Sequence, residues 1–228
     1  MRNTNIWLIP AVFFFVCCIL NLIGCLTGGN METIVKPSLM TLLCVTTMAY
    51  LYGHQGSKAS DVALLAAGQL FGFAGDTMLI PDGFAFFAGG IGLFLLGHVC
   101  YISLFGRRSL KGLRPWQWIL GLACAVAGVA ALVLIIGVNG ALLAPMGIYA
   151  FVLMMLIFST LSGLLRFGGC TWWILLCGAL LFTFSDALIA VRNFGSLSPF
   201  MSGFVVMFTY LLAQVLLAVG GVRLILKK

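Results

Sequence analysis

Charge is the scarcest commodity in this chain. Only 7% of its 228 residues are Asp, Glu, Lys or Arg, with five acids in all and two histidines, whereas a soluble domain carries about 25% charged residues. A fold whose surface met water could not hide a composition that is 63% hydrophobic, because much of any soluble surface must be polar. Two histidines cannot supply a three-His zinc centre, and the acids and thiols fall at different depths, so neither metal nor cofactor is expected. No P-loop, G-x-S-x-G or H-E-x-x-H sequence occurs. None of the eight cysteines forms a C-x-x-C pair, and nearly all lie in apolar runs, where Cys behaves as a small hydrophobe. The net charge of +7 comes from basic residues at the ends of apolar runs, not from a basic stripe interleaved with aromatics, so no nucleic-acid partner is expected. The first apolar run, Ile6 to Leu26, is longer than a signal-peptide core of roughly 7–15 residues and has no small-x-small cleavage site, so it is read as a retained span.

What remains is long apolar runs. A helix needs about 20 apolar residues to cross the hydrocarbon core, and runs that qualify cover 6–27, 34–53, 61–80, 83–105, 116–138, 142–165, 171–191 and 199–226. In lipid the backbone must satisfy its own hydrogen bonds, so these runs are helices. Short breakers separate them: Gly28-Gly29-Asn30, Pro81-Asp82-Gly83, Asn139-Gly140 and Gly168-Gly169. The expected fold is all-α, a polytopic membrane protein with a bundle of eight transmembrane helices, one membrane domain over residues 1–228. Basic residues orient it. With a cytoplasmic N-terminus and eight alternating spans, ten basic residues lie inside (Arg2, Lys58, Arg107, Arg108, Lys111, Arg114, Arg166, Arg223, Lys227, Lys228) and two, Lys36 and Arg192, outside. That bias obeys the positive-inside rule and puts both termini in the cytoplasm.

Polar residues inside spans carry the functional information, because an ionisable group in a membrane helix is costly and rarely idle. Asp76 near the end of span 3 and Asp186 near the end of span 7 both sit about five residues short of the outer boundary, roughly 6–9 Å deep at 1.5 Å per residue. They are expected to face one cavity as a catalytic pair, or to pair with the outer cations Lys36 and Arg192. Lys36-Pro37 opens span 2, and Lys36 at a helix end ordinarily snorkels to the surface. His98 and Tyr101 share a face of span 4, His98 about 20 Å from the aspartates on a straight helix. Tyr210 and Gln214, four apart in span 8, line a cavity or join helices. His54 falls in a loop and is expected to be solvated. A weak 4+4 internal repeat aligns Asp76, Phe84 and Tyr101 with Asp186, Phe194 and Tyr210, as in parallel-repeat membrane folds.

These positions in this order resemble the YhhN-type lysoplasmalogenase family of integral membrane proteins. The resemblance runs from Lys36-Pro37 through Gly75-Asp76, the Phe87, Gly90, Phe94, His98, Tyr101 series and Phe182–Asp186 to Tyr210–Gln214. It implies eight spans, and it implies hydrolysis of the vinyl ether bond of a lysophospholipid, the lysoplasmalogen, releasing a fatty aldehyde and a glycerophospho-alcohol. Compactness and the resemblance together suggest a bacterial inner membrane. Such chemistry needs one acid and one anion, divided between two carboxyls as in glycosidases. Asp76 and Asp186 are the expected pair, Lys36 and Arg192 the expected phosphate holders, and Tyr101, His98, Tyr210 and Gln214 the expected contacts to water or headgroup. Two other classes stay open at this point. One is a transporter or flippase for an amphipathic lipid or small cation, coupled through the same buried acids. The other is a non-enzymatic membrane scaffold.

Overall fold

Each apolar run forms one helix. The computed structural model describes residues 5–27, 31–54, 57–136, 143–194 and 203–227, apart from the side chains of a few helical positions. Its elements are α1 (Leu8–Thr27), α2 (Met31–Gly53), α3 (Ala59–Met78), α4 (Phe84–Ser109), α5 (Pro115–Ile136), α6 (Leu143–Phe167), α7 (Gly169–Phe194) and α8 (Gly203–Leu226). Among the described residues six of these helices are both long and apolar enough to cross a membrane. In α5 the fully described stretch Pro115–Ala131 is apolar as well. The helix α3 is 20 residues long but more polar, since it carries Asp61, Gln69 and Asp76. The protein is a polytopic helical membrane protein. The helix α1 shows why: Ile9, Val12, Phe13, Phe15 and Ile19 are all exposed, an arrangement that lipid tolerates and water does not.

Two of the expected breakers are seen as breaks between helices, with Gly83 at φ 126° before α4, and Gly168 at φ 61° and Gly169 at φ 83° where α7 begins. The Gly28-Gly29-Asn30 and Asn139-Gly140 breaks, Arg2, Lys228 and residues 199–202 lie outside the described residues. Two local expectations change. Lys36-Pro37 does not open the second helix: α2 begins at Met31 and holds Pro37 inside it. His54 lies just beyond α2, as expected of a loop residue, but it is not freely solvated. It is half-buried at the end of α2, stacked on Tyr50 at 4.2 Å, and its Nδ1 donates to the Tyr50 carbonyl at 2.8 Å, so the ring caps a helix C-terminus.

The chain divides into two compact units, one of residues 1–104 with 218–228, the other of residues 105–217. In the first unit α2 packs on both α1 and α3. The α3–α4 approach is governed by missing side chains. A Cβ at Gly97 would lie 3.1 Å from the Gly68 carbonyl oxygen, and one at Gly68 would lie 2.8 Å from the Tyr101 ring. Small residues at such positions let membrane helices meet backbone to backbone, where van der Waals contact replaces the hydrophobic effect. In the second unit α6 packs on α5 and α7. Arg166, in the last turn of α6, donates through Nη1 to the carbonyls of Ser109 and Lys111, both at 2.7 Å, and so pins the segment that leads into α5.

Candidate active-site residues

In the first unit the buried positions of α3 are Asp61, Leu65, Gly68, Gln69, Gly72, Gly75 and Asp76. From Leu65 onward they recur every three or four residues, so one face of the helix turns inward and carries an amide and a carboxyl with it. Asp76 is 2% exposed. Gln69 is fully buried, and its Oε1 accepts a 2.8 Å hydrogen bond from Thr47 Oγ1 on α2. Its Nε2 has no partner among the described residues. Whichever way the amide is turned, one end is left for a water or a ligand, since an unsatisfied buried donor costs about 1–3 kcal/mol. Sequence reading passed over Gln69, although the signal existed: an amide inside an apolar run, as at Gln214.

Two registers place the remaining residues of this unit. Thr47 against Gln69, in antiparallel helices, sets Asp76 opposite Met40, with Lys36 about one turn or 6 Å further out. Lys36 is half-buried and lies toward the Asp76 end of α2 and α3. Gly97 lies beside Gly68, Phe71 and Gly72. His98, buried at the next position, is therefore about 9 Å along the helix axis from Asp76, roughly half the separation expected for straight, unpaired spans. Tyr101 is also buried, its ring covering Gly68.

In the second unit Asp186 on α7 is 8% exposed, and the Tyr149 hydroxyl on α6 donates to its Oδ2. Ser185 Oγ donates to the Val206 carbonyl at 3.0 Å, tying α7 to α8 one residue before the acid. Phe182, one turn down the same face, meets the Tyr210 ring edge-on at 5.5 Å. Gln214 Nε2 lies 3.4 Å from Tyr210 Oη, a long bond that keeps the two side chains on one face of α8. The two are buried. Arg192 is exposed in the last turn of α7, six residues or about 9 Å beyond Asp186. The structure thus groups Asp76, Lys36, His98 and Tyr101 in the first unit and Asp186, Arg192, Tyr210 and Gln214 in the second. It adds Tyr149, which sequence reading missed. A tyrosine near the start of a membrane helix looks like an interfacial belt residue, and only the α6–α7 register reveals the carboxylate it serves.

No solved structure matches this chain. Lysoplasmalogenase TMEM86A of Bos taurus is 33% identical over 159 residues, 68% of this chain and 64% of its own length. Lysoplasmalogenase TMEM86A of Homo sapiens is 32% identical over 161 residues, with the same two shares. The chain therefore spans a little under two thirds of the length of these curated relatives. The YhhN family model matches residues 31–221, from the first residue of α2 almost to the end of α8, an interval that contains every candidate residue above. On that match, this chain belongs to the YhhN family.

Proposed function

We propose that this chain hydrolyses the vinyl ether bond of a lysoplasmalogen, giving a fatty aldehyde and glycerophosphocholine or glycerophosphoethanolamine. The observation that carries the reading is a buried carboxyl on one helix of each unit, Asp76 on α3 and Asp186 on α7, one of them gripped by a phenol. Support also comes from the two relatives of Bos taurus and Homo sapiens, both named lysoplasmalogenases. The reaction starts when a proton is added to the vinyl carbon remote from the ether oxygen. The resulting oxocarbenium ion takes up water at the other carbon. Loss of a proton leaves a hemiacetal, which breaks its C–O bond to the glycerol to yield aldehyde and alcohol, with one water consumed overall. One carboxyl donates the first proton; the other stabilises the cation and accepts the proton of water, and the pair is restored at collapse.

Tyr149 helps to assign these parts. Its proton is committed to Asp186, so Asp186 is the acceptor and serves as the anion, and Asp76 supplies the proton. In this reading Lys36 and Arg192 hold the substrate phosphate, while Tyr101, His98, Tyr210 and Gln214 orient water and headgroup. The acyl-chain side of the substrate stays dissolved among the helices, and both termini face the cytoplasm.

The test is a product analysis. Purified protein in detergent is incubated with lysoplasmalogen and, separately, with 1-acyl lysophospholipid. Aldehyde from the first and no fatty acid from the second is the expected result. Fatty acid release, or turnover only across sealed vesicles with a gradient, overturns it. Tyr149→Phe is expected to lower kcat about tenfold with KM little changed, because the bond positions the anion without touching the lipid; removing a hydrogen bond to a charged group is worth about 1.5–3 kcal/mol. A change confined to KM would remove Tyr149 from this role.

A further inference from the structure

The second unit has a groove of about 280 Å³ between α5 and α6, whose far end at Arg166 lies about 25 Å along α6 from the Tyr149 that bonds Asp186 and which plays no part in the proposed hydrolysis. Its walls include Trp116, Leu120, Cys124, Ile157, Leu161 and Leu165. Trp116, Leu120, Cys124, Leu161 and Leu165 are exposed, so the groove opens outward from the unit. It exists because α5 presents small residues there: at Gly121 a Cβ would lie 2.3 Å from the Phe158 ring, so the aromatic sinks into the helix surface and leaves a furrow beside it. On α5 the lining runs from Trp116 to Ala125, about 14 Å of helix, which is close to the depth of one bilayer leaflet's hydrocarbon.

One end of the furrow is strongly positive. Arg166 and Gln117 line it, and Lys111 and Arg114 stand exposed on the segment that closes it. Arg166 is held rigid by its two bonds to the Ser109 and Lys111 carbonyls. Gln117 Oε1 accepts from the Arg114 backbone N–H at 2.7 Å, which leaves its amide hydrogens directed elsewhere. The N-terminus of α5, at Pro115, adds the positive end of a helix dipole. Residues 105–217 contain a single acid, Asp186, and it lies some 17 residues from the Gly169 end of α7, about 25 Å away. The counter-charge for this rim does not come from its own unit.

We propose that the α5–α6 groove is a binding site for an anionic phospholipid of the bilayer, one acyl chain lying in the apolar furrow and the phosphate and headgroup held by Lys111, Arg114 and Arg166. The apolar length and the cationic end suit an amphiphile with one negative head. A neutral lipid would leave the rim uncompensated, and a free anion would leave the furrow empty.

Trp116 reports on the site. The full chain is reconstituted in phosphatidylcholine vesicles doped with chain-brominated phosphatidylglycerol or, separately, chain-brominated phosphatidylcholine, and the Trp116 signal is taken as the difference from Trp116→Phe. Brominated phosphatidylglycerol should quench at about a tenfold lower mole fraction, since each Lys or Arg near an anionic headgroup contributes severalfold. The preference should vanish in Lys111→Gln/Arg114→Gln, and quenching by both lipids should weaken in Cys124→Phe, which fills the furrow from its open side. Equal quenching by the two lipids means ordinary annular contact and overturns the proposal. So does a preference that survives Lys111→Gln/Arg114→Gln, or quenching that is undiminished in Cys124→Phe. In detergent without lipid, a Trp116 response to millimolar inorganic phosphate would make the rim a free-anion site and would also overturn it.

Discussion

Replacing either Asp76 or Asp186 by asparagine is expected to lower aldehyde release by about 10²–10⁴-fold, the range over which positioned acids and bases act. The two losses should differ in kind. Asparagine at position 76 removes the proton donor but leaves the anion, so the residual rate should climb as the medium is acidified and hydronium takes over the donor's part. Asparagine at position 186 removes the group that stabilises the cation and receives the proton of water, and acid cannot replace it. Residual activity measured from neutral to mildly acidic pH in detergent separates the two. Asparagine is nearly isosteric, and Asp186→Asn keeps an oxygen able to accept from Tyr149, so folding yield should change little. Near wild-type turnover in either variant would end the two-carboxyl mechanism. Loss of folded protein with no loss of specific activity would favour a scaffold instead.

The second large effect concerns the frame that holds Asp186. A Cβ at Gly163 on α6 would lie 2.1 Å from the Trp172 ring on α7, and that ring is buried. Gly163→Ala cannot be absorbed by a small rotation, because the indole is rigid and close-packed interiors resist even one added methyl. Destabilisation of about 3 kcal/mol is expected, at the upper end of overpacking costs, read as a lowered melting midpoint in detergent. Trp172→Leu in the same chain should recover part of it, so the double variant should be more stable than the sum of the two single changes. The contact has a functional corollary. Gly163 to Trp172 and Tyr149 to Asp186 are two rungs of one antiparallel register, fourteen residues apart on each helix, or about 21 Å. Prying the helices apart at the first rung should weaken the second, so Gly163→Ala should also slow catalysis. A melting midpoint unchanged by Gly163→Ala would show that this register is wrong, and the Tyr149 assignment would fall with it.

Some of this was legible before any coordinates. Among the described residues the eight helices lie within a few residues of their apolar runs, because in lipid a long stretch without charge has one satisfactory backbone conformation, and local composition suffices to detect it. Asp76 and Asp186 stood out for the same reason: a carboxyl is conspicuous where nearly everything else is hydrocarbon. Gln69 was equally conspicuous in principle, an amide inside an apolar run like Gln214. Tyr149 and the His98–Asp76 offset were not legible. Which tyrosine reaches which carboxylate depends on the register between helices, and in a membrane that register is set by a few small residues and bulky partners (Gly68 under Tyr101, Gly163 under Trp172), not by any periodic apolar signal. Composition and order along the chain therefore determined the number, kind and approximate limits of the helices and the acids buried in them. The pairing of Asp186 with Tyr149, the orphaned end of Gln69 and the charged groove between α5 and α6 were decided by tertiary packing, because each joins side chains from different helices whose relative slide is invisible to local sequence.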